Sequence, residues 1–218
     1  MSIATVYLGY INIIPKKGLF HMKNCLVIST SEETYSCPVS DSHEEVRLWL
    51  HIYCPLAELC LNHYGFSLPL RNRTEILTGE ILSGMQWDGD IENMFVVRLR
   101  TVYSKNFLPN ADDIERMNYI NNRCTRHQHI SSSQSTAHRM LCKYCREEAD
   151  LLLVVSPADR MDPETAELLA TAQQKQIPIL HYDPETFETI RENLPGPWIT
   201  YTDMITESDV EDFFSADK

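Results

Sequence analysis

Long apolar runs are missing from this 218-residue sequence, and none approaches the roughly 20 residues that a membrane-spanning helix needs. Residues 1–21 are moderately apolar, but the basic pair Lys16-Lys17 follows the apolar part, which is the reverse of the order in a secretory leader. We therefore expect a cytoplasmic protein without membrane contacts. Met22 is a second candidate for the start of translation, and residues 1–22 are then an N-terminal arm or an extra strand.

Positive charge is scarce in the last third of the chain. Residues 146–218 contain 5 Lys or Arg against 17 Asp or Glu, a net charge of −12, so residues 1–145 carry 14 of each sign and are neutral. Such an acidic surface repels the phosphate backbone of nucleic acids. We expect no nucleic-acid partner. A small molecule or a protein, including a second copy of this chain in a homo-oligomer, fits the charge better.

The sequence contains seven cysteines, which is an odd number. Without a leader, this number favours free thiols or a metal site over a disulfide framework. Cys124-x2-His127 followed by Cys142-x2-Cys145 has the spacing of a four-ligand zinc site, so we predict structural zinc at these residues. In the alternative, His138, Cys142 and Cys145 share one face of a helix, and the two cysteines are buried beneath the sheet.

Residues 146–183 form the most informative stretch. An unbroken apolar run, LLLVV at 151–155, is typical of a parallel strand covered by helices on both faces. Asp162-Pro163-Glu164 is a strong signal for the start of a helix. It supplies a capping carboxylate, a proline at the first helical position and an acidic residue in the first turn. The helix ends before Pro178, where IPILHY begins the next strand. The stretch is a strand–helix–strand unit, in which ligands bind beyond the carboxyl ends of the strands.

The rest of the chain supplies further elements. We predict a buried strand at 23–30, a helix through residues 41–65 with a kink at Pro55 and a stop at Gly65, and a short strand at 66–71. Another strand follows at 94–100 and a helix at 110–123. Ser29-Thr30-Ser31 ends the first strand, where hydroxyls and amides could hold a phosphate or ribose; the alternative is a plain polar turn.

These elements predict an α/β protein with a three-layer, Rossmann-like fold and a mostly parallel sheet. Strands 24–30, 94–99, 151–155 and 177–182 should share that sheet, with the helix at 162–175 packed on it through Leu168, Leu169 and Ala172. We expect one domain over residues 23–218, with an irregular, zinc-binding insertion at about residues 101–145.

The core stretch resembles the superfamily of nucleoside 2-deoxyribosyltransferases and 2-deoxynucleoside 5-phosphate N-hydrolases. The resemblance rests on ADLLLV at 149–154, TAELLATA at 165–172, and KQIP at 175–178 followed by a strand. WITY at 198–201, as a last short strand, and VEDFFSAD at 210–217, as a terminal helix, extend it. It covers about the last 70 residues and, loosely, the strand at 23–30.

The resemblance implies cleavage or transfer at the N-glycosidic bond of a nucleoside or nucleotide. By the match, Glu167 is the nucleophile that attacks the anomeric carbon, and Asp162 helps to protonate the leaving base. The substrate would be bound by residues at or near the ends of the strands: Ser29, Thr30, Ser31, Asp150 and Ser156. No organic cofactor is predicted.

Two alternatives remain open at the level of the sequence. The glycines that flank the family's glutamate are absent around Glu167, which fits a non-enzymatic module that senses nucleotides or binds proteins. Alternatively, LVVSPADRMDPETAEL, ending at Leu168, is similar to a segment of Toll/interleukin-receptor domains, which cleave NAD or assemble signalling complexes. The two enzymatic hypotheses share one test, because both predict cleavage of an N-glycosidic bond.

Overall fold

A computed structural model describes residues 23–31, 42–87, 94–99, 107–124, 126–131 and 134–200. Strands and helices alternate almost throughout this part of the chain. Their bounds, in chain order, are β1 Lys23–Ser29, α1 Ser42–Leu61, β2 Tyr64–Leu68, α2 Arg73–Trp87, β3 Met94–Leu99, α3 Ala111–Arg123, β4 Arg126–Ser131, α4 Gln134–Glu148, β5 Leu151–Val155, α5 Pro163–Gln174, β6 Ile179–Tyr182 and β7 Thr189–Glu192.

The strands form one seven-stranded sheet in the order β4-β3-β2-β1-β5-β6-β7. Every neighbouring pair is parallel except β6 and β7, which form an antiparallel pair at one edge. The predicted α/β fold with a mostly parallel sheet is confirmed. In particular, β5 and β6 are parallel neighbours, with Leu152 opposite Ile179 and Val155 opposite Tyr182.

Helices cover both faces of the sheet. Successive side chains of a strand point to opposite faces, so Cys25 and Val27 of β1 join one hydrophobic cluster while Leu26 and Ile28 join another. The first cluster contains residues of α1, α2 and α3, and the second contains residues of α4 and α5. The packing of α5 follows the prediction: Leu168 and Ala172 are buried, and Leu169 packs beside them.

The predicted insertion at 101–145 is wrong as a description of architecture. This segment supplies α3, β4 and most of α4, which are regular parts of the sheet and its helical layers. The strand RHQHIS in β4 has few aliphatic residues, because β4 lies at the edge of the sheet, and its polar sequence concealed it. The helix α2 was also missed, because its glycines resemble loop signals.

Smaller corrections concern the ends of elements. Gly65 lies within β2, and the residue with positive φ after α1 is His63, at 62°. The predicted last strand at 198–201 is not formed over residues 198–200, and β7 takes the edge position next to β6 instead. The predicted N-terminal arm and the terminal helix at 210–217 lie outside the described residues. None of the described helices has the length and apolar character needed to cross a membrane.

Candidate functional site

The order of the strands creates a switch point between β1 and β5. From β1 the chain builds the sheet outward through β2, β3 and β4, and then returns to β5 on the other side of β1. In such sheets the crevice for ligands lies at the carboxyl ends of the two central strands. Here those ends are Ser29–Thr30–Ser31 after β1 and Ser156 after β5. The N-terminus of α5 opens onto the same edge.

Asp162 connects the two sides of this switch point. As the N-cap of α5, its Oδ1 accepts a hydrogen bond from the amide of Thr165 at 2.9 Å. Its Oδ2 accepts from the Thr30 hydroxyl at 2.9 Å and from the Ser31 amide at 2.8 Å. Burial raises the pKa of Asp162, but these donors outweigh it and hold the pKa below its ordinary value. The carboxylate thus occupies the donors that the sequence predicted for a phosphate.

A buried ion pair supports the turn after β1. The guanidinium of Arg71 donates to Glu75 Oε1 at 2.7 Å and to the Ser29 carbonyl at 3.2 Å. Glu75 Oε1 also accepts from the Ser29 amide at 3.1 Å. Asn72 caps α2 through its Oδ1 and accepts from the Ser29 hydroxyl at 2.7 Å. A second carboxylate, Glu164, lies 3.7 Å from Arg71 Nη1, so the edge carries more negative than positive charge.

Two of the predicted substrate-binding residues, Ser156 and Asp150, make other contacts. Ser156 is fully buried at the carboxyl end of β5, where its hydroxyl lies 3.0 Å from His181 Nε2. Asp150 precedes β5 and therefore lies at the opposite edge of the sheet, about 15–17 Å away along a five-residue strand. There its Oδ2 accepts from the amide of Asn24 at 2.8 Å. The structure does not bring Asp150 together with the other predicted substrate-binding residues.

Glu167 lies in the second turn of α5 and faces α4. Its side chain is 66% exposed, and its Oε2 lies 2.9 Å from His138 Nε2. The same imidazole nitrogen lies 3.5 Å from Cys142 Sγ, one turn further along α4. Contact with Cys142 and then the Glu167 carboxylate raise the pKa of His138 to about 8, against the lowering effect of burial. We name these three residues the α4–α5 triad.

The α4–α5 triad is the one group among the described residues whose donor atoms could hold a metal ion. The three ligand atoms lie within 4.8 Å of one another. The predicted zinc ligands, in contrast, are not assembled. Cys124 packs against the cluster on the α1–α3 face and donates to the Asn121 carbonyl at 3.1 Å, whereas Cys142 and Cys145 are buried on the other face.

The sheet therefore separates Cys124 from Cys142 and Cys145. His127 lies in β4, a strand of the sheet and not a metal-binding turn. The alternative is confirmed, since His138, Cys142 and Cys145 all lie on α4, with the two cysteines buried. The six cysteines of the described part of the chain are free thiols.

Sequence reasoning missed Arg71, Asn72 and Glu75, although signals for them were present. Asn72 followed three residues later by Glu75 is the pattern of a capping box, and Arg71 and Glu75 are separated by one helical turn. Nothing in the sequence indicated that this pair would be buried against β1. His138 was placed on one helix with Cys142 and Cys145, but its contact with Glu167 was not predicted, because Glu167 is 29 residues away and on another helix.

No known family model matches this chain, and no curated protein matches its sequence.

Proposed function

We propose that the protein binds a nucleoside at the carboxyl edge of its sheet and cleaves or transfers its N-glycosidic bond, with Glu167 as the nucleophile. The observation that carries this proposal is the pairing of Glu167 with His138. An exposed carboxylate, which can reach a substrate, lies 2.9 Å from an imidazole that can supply a proton. N-glycosidic cleavage needs a carboxylate on one face of the sugar and a proton donor on the side of the base, because the sugar carbon becomes cationic while the base becomes anionic. The exposed Glu167 side chain must therefore move away from His138 to admit the substrate between them.

The proposed reaction has two steps, in which Glu167 forms and breaks a bond to the sugar and His138 transfers a proton. A Glu167 oxygen forms a bond to the anomeric carbon as the bond from that carbon to the base nitrogen breaks. The electron pair of the broken bond leaves with the base, which takes a proton from His138 Nε2. Water, or the nitrogen of a second base, then attacks the anomeric carbon and displaces the carboxylate. The water or the incoming base gives its proton back to His138.

The charges at the switch point favour an uncharged nucleoside over a nucleotide. The donors of Thr30 and Ser31 are bound to the Asp162 carboxylate, so a phosphate there would meet a like charge. Glu164 adds a second carboxylate on this side of α5. A cationic sugar carbon is favoured by the same negative charges that disfavour phosphate.

The test is the release of free base from a panel of nucleosides, nucleotides and NAD. The Glu167→Gln variant keeps the size of the side chain but removes its charge, and we expect base release to fall about 1000-fold or more. The matched control is Glu147→Gln, which alters another exposed helical glutamate, one paired with Lys143 on α4. It should leave base release unchanged. Both variants should unfold within about 0.5 kcal/mol of wild type.

A non-enzymatic binding module is the second candidate, and the Asp162 network favours it. A crevice whose donors are already bound by a side chain is partly filled, as in a site that holds a ligand without reacting with it. In that case the pure wild-type protein releases no base, and ligand binding survives Glu167→Gln. Cleavage of NAD alone would instead support the alternative based on Toll/interleukin-receptor domains.

Zinc, predicted from the sequence, is proposed here with a ligand set that shares only Cys142 with the predicted one. The α4–α5 triad offers the nitrogen and sulfur donors that zinc prefers. A zinc ion there would compete with the nucleoside for Glu167.

A further inference from the structure

The geometry points to a transition-metal site at the α4–α5 triad, in which His138, Cys142 and Glu167 bind one ion of the zinc class and water completes a tetrahedral shell. This inference rests on the arrangement of the three side chains and stands whether or not the protein cleaves N-glycosidic bonds. It concerns metal binding alone.

Two helices bring the three donors to one point. His138 and Cys142 are four residues apart on α4, which puts both side chains on the same face of that helix. Glu167 reaches this face from α5, since the two helices pack side by side on the sheet. Cys142 is buried, whereas 24% of His138 and 66% of Glu167 are exposed. An ion can therefore enter from solvent and meet a thiol at the inner end.

The distances suit a tetrahedral ion. Bonds of about 2.3 Å to sulfur and about 2.0–2.2 Å to nitrogen and oxygen place neighbouring ligand atoms about 3.4–3.6 Å apart. The separation of 3.5 Å between Cys142 Sγ and His138 Nε2 already has this value. The Glu167 oxygen is at 2.9 Å from the same nitrogen and would need to retreat by about 0.5 Å, which an exposed side chain can do.

The pattern of contacts differs from a proton relay. In a Cys–His–Glu relay the thiol and the carboxylate contact different nitrogens of the imidazole. Here both contact Nε2, which carries at most one hydrogen and can donate it to only one of them. Nδ1 is buried and has no hydrogen-bond partner among the described residues. A cation at the point that Nε2, Sγ and Oε2 share would satisfy all three atoms.

The donor set also selects the class of ion. Thiolate and imidazole favour zinc, cobalt and related ions over magnesium and calcium, which prefer oxygen ligands. A dication with one thiolate and one carboxylate forms a site without net charge. Binding transfers the thiol proton of Cys142, and any proton on His138 Nε2, to solvent.

Cobalt(II) gives a direct test, because a thiolate ligand produces a charge-transfer band in the near ultraviolet and a tetrahedral shell gives intense visible bands. The full-length, reduced protein is stripped with a chelator and titrated with Co²⁺, and zinc is then added in competition. We expect one ion per chain, both sets of bands, and displacement by zinc. Magnesium should not displace cobalt.

Matched variants on α4 identify the thiolate. Cys142→Ala should abolish the charge-transfer band, whereas Cys145→Ala, which removes another buried thiol of the same helix, should keep it. Glu167→Gln and His138→Gln should each weaken zinc binding by about 10–100-fold or more, at least as much as losing an outer-sphere partner. These two positions are partly exposed, so they test the site even where Cys142→Ala does not fold.

Three results would overturn the inference. The first is the absence of stoichiometric cobalt or zinc binding by the wild-type protein. The second is a charge-transfer band that persists in a folded Cys142→Ala variant. The third is zinc affinity that is unchanged in both Glu167→Gln and His138→Gln. Because no substrate is present, failure of this site is distinct from failure of base release.

Discussion

At the scale of single residues, Asp162 joins the N-terminus of α5 to the turn after β1. One carboxylate caps α5, holds the Thr30 hydroxyl and holds the Ser31 amide. Asp162→Ala removes the cap and leaves these donors without their acceptor. We expect a loss of about 2 kcal/mol in the free energy of unfolding, from a cap and one or two partly buried hydrogen bonds. Urea unfolding at pH 7 measures it.

The same residue predicts a dependence on pH. The folded-state pKa of Asp162 is held below its ordinary value by its donors, so its contribution to stability is fully present above about pH 5, well above the unfolded pKa. It is lost as the pH falls through the folded pKa. The difference in stability between wild type and Asp162→Asn should therefore shrink between about pH 5 and pH 2. A difference that stays constant over this range would contradict the assignment.

At the scale of elements, alanine substitutions at two glycines of α2 should have opposite effects on stability. A Cβ added at Gly79 would lie 2.8 Å from Cδ1 of Ile120, a buried residue of α3. At Gly84 the added atom has nothing within 4 Å. Gly84→Ala should stabilise the protein by up to about 1 kcal/mol through helix propensity. Gly79→Ala should gain the same stability from helix propensity. Its added Cβ, however, overpacks the interface between α2 and α3, which should cost about 1–3 kcal/mol.

Thermal unfolding of the two alanine variants checks this contrast. We expect Gly84→Ala to melt above Gly79→Ala, and the double variant Gly79→Ala with Ile120→Val to recover part of the loss, because valine lacks the clashing Cδ1. Equal melting temperatures of the two single variants would contradict the close packing of Gly79 against Ile120.

At the scale of the whole molecule, Glu58 of α1 holds the last described segment of the chain. Its carboxylate accepts from Arg191 Nη2 at 3.0 Å in β7 and from Trp198 Nε1 at 2.6 Å. Glu58→Gln should lower stability by about 2 kcal/mol, with the cost limited because Arg191 is partly exposed and can be hydrated. Hydrogen exchange should rise at residues 189–199 more than at β5.

The control for Glu58 is Glu80→Gln. Glu80 also binds an arginine through two hydrogen bonds, to Arg116 at 2.9 Å and 2.6 Å, but it joins α2 to α3 and holds no terminal segment. It should not change exchange at residues 189–199. A uniform rise in exchange for both variants would show that Glu58 acts only on global stability.

The formation of a homo-oligomer, expected from the sequence, stays a prediction.

The sequence by itself determined the elements that contain strong local signals. The run LLLVV indicated a buried strand, and Asp162-Pro163-Glu164 indicated the start of a helix, because both signals depend on neighbours along the chain. The predicted α/β class and the adjacency of β5 and β6 followed from these signals. The triplet Ser29–Thr30–Ser31 became a candidate site for the same reason, whereas Asp162 became a candidate site residue through the family resemblance.

Tertiary structure decided which residues meet. The spacing of Cys124, His127, Cys142 and Cys145 resembles a zinc site, but His127 lies within β4 and the sheet separates Cys124 from Cys142. The contacts of Asp162 with Thr30 and of Glu167 with His138 span 132 and 29 residues. Such contacts depend on the order of strands and the packing of helices, which short-range patterns do not encode. The candidate site therefore depends on the fold, whereas its separate side chains are visible in the sequence.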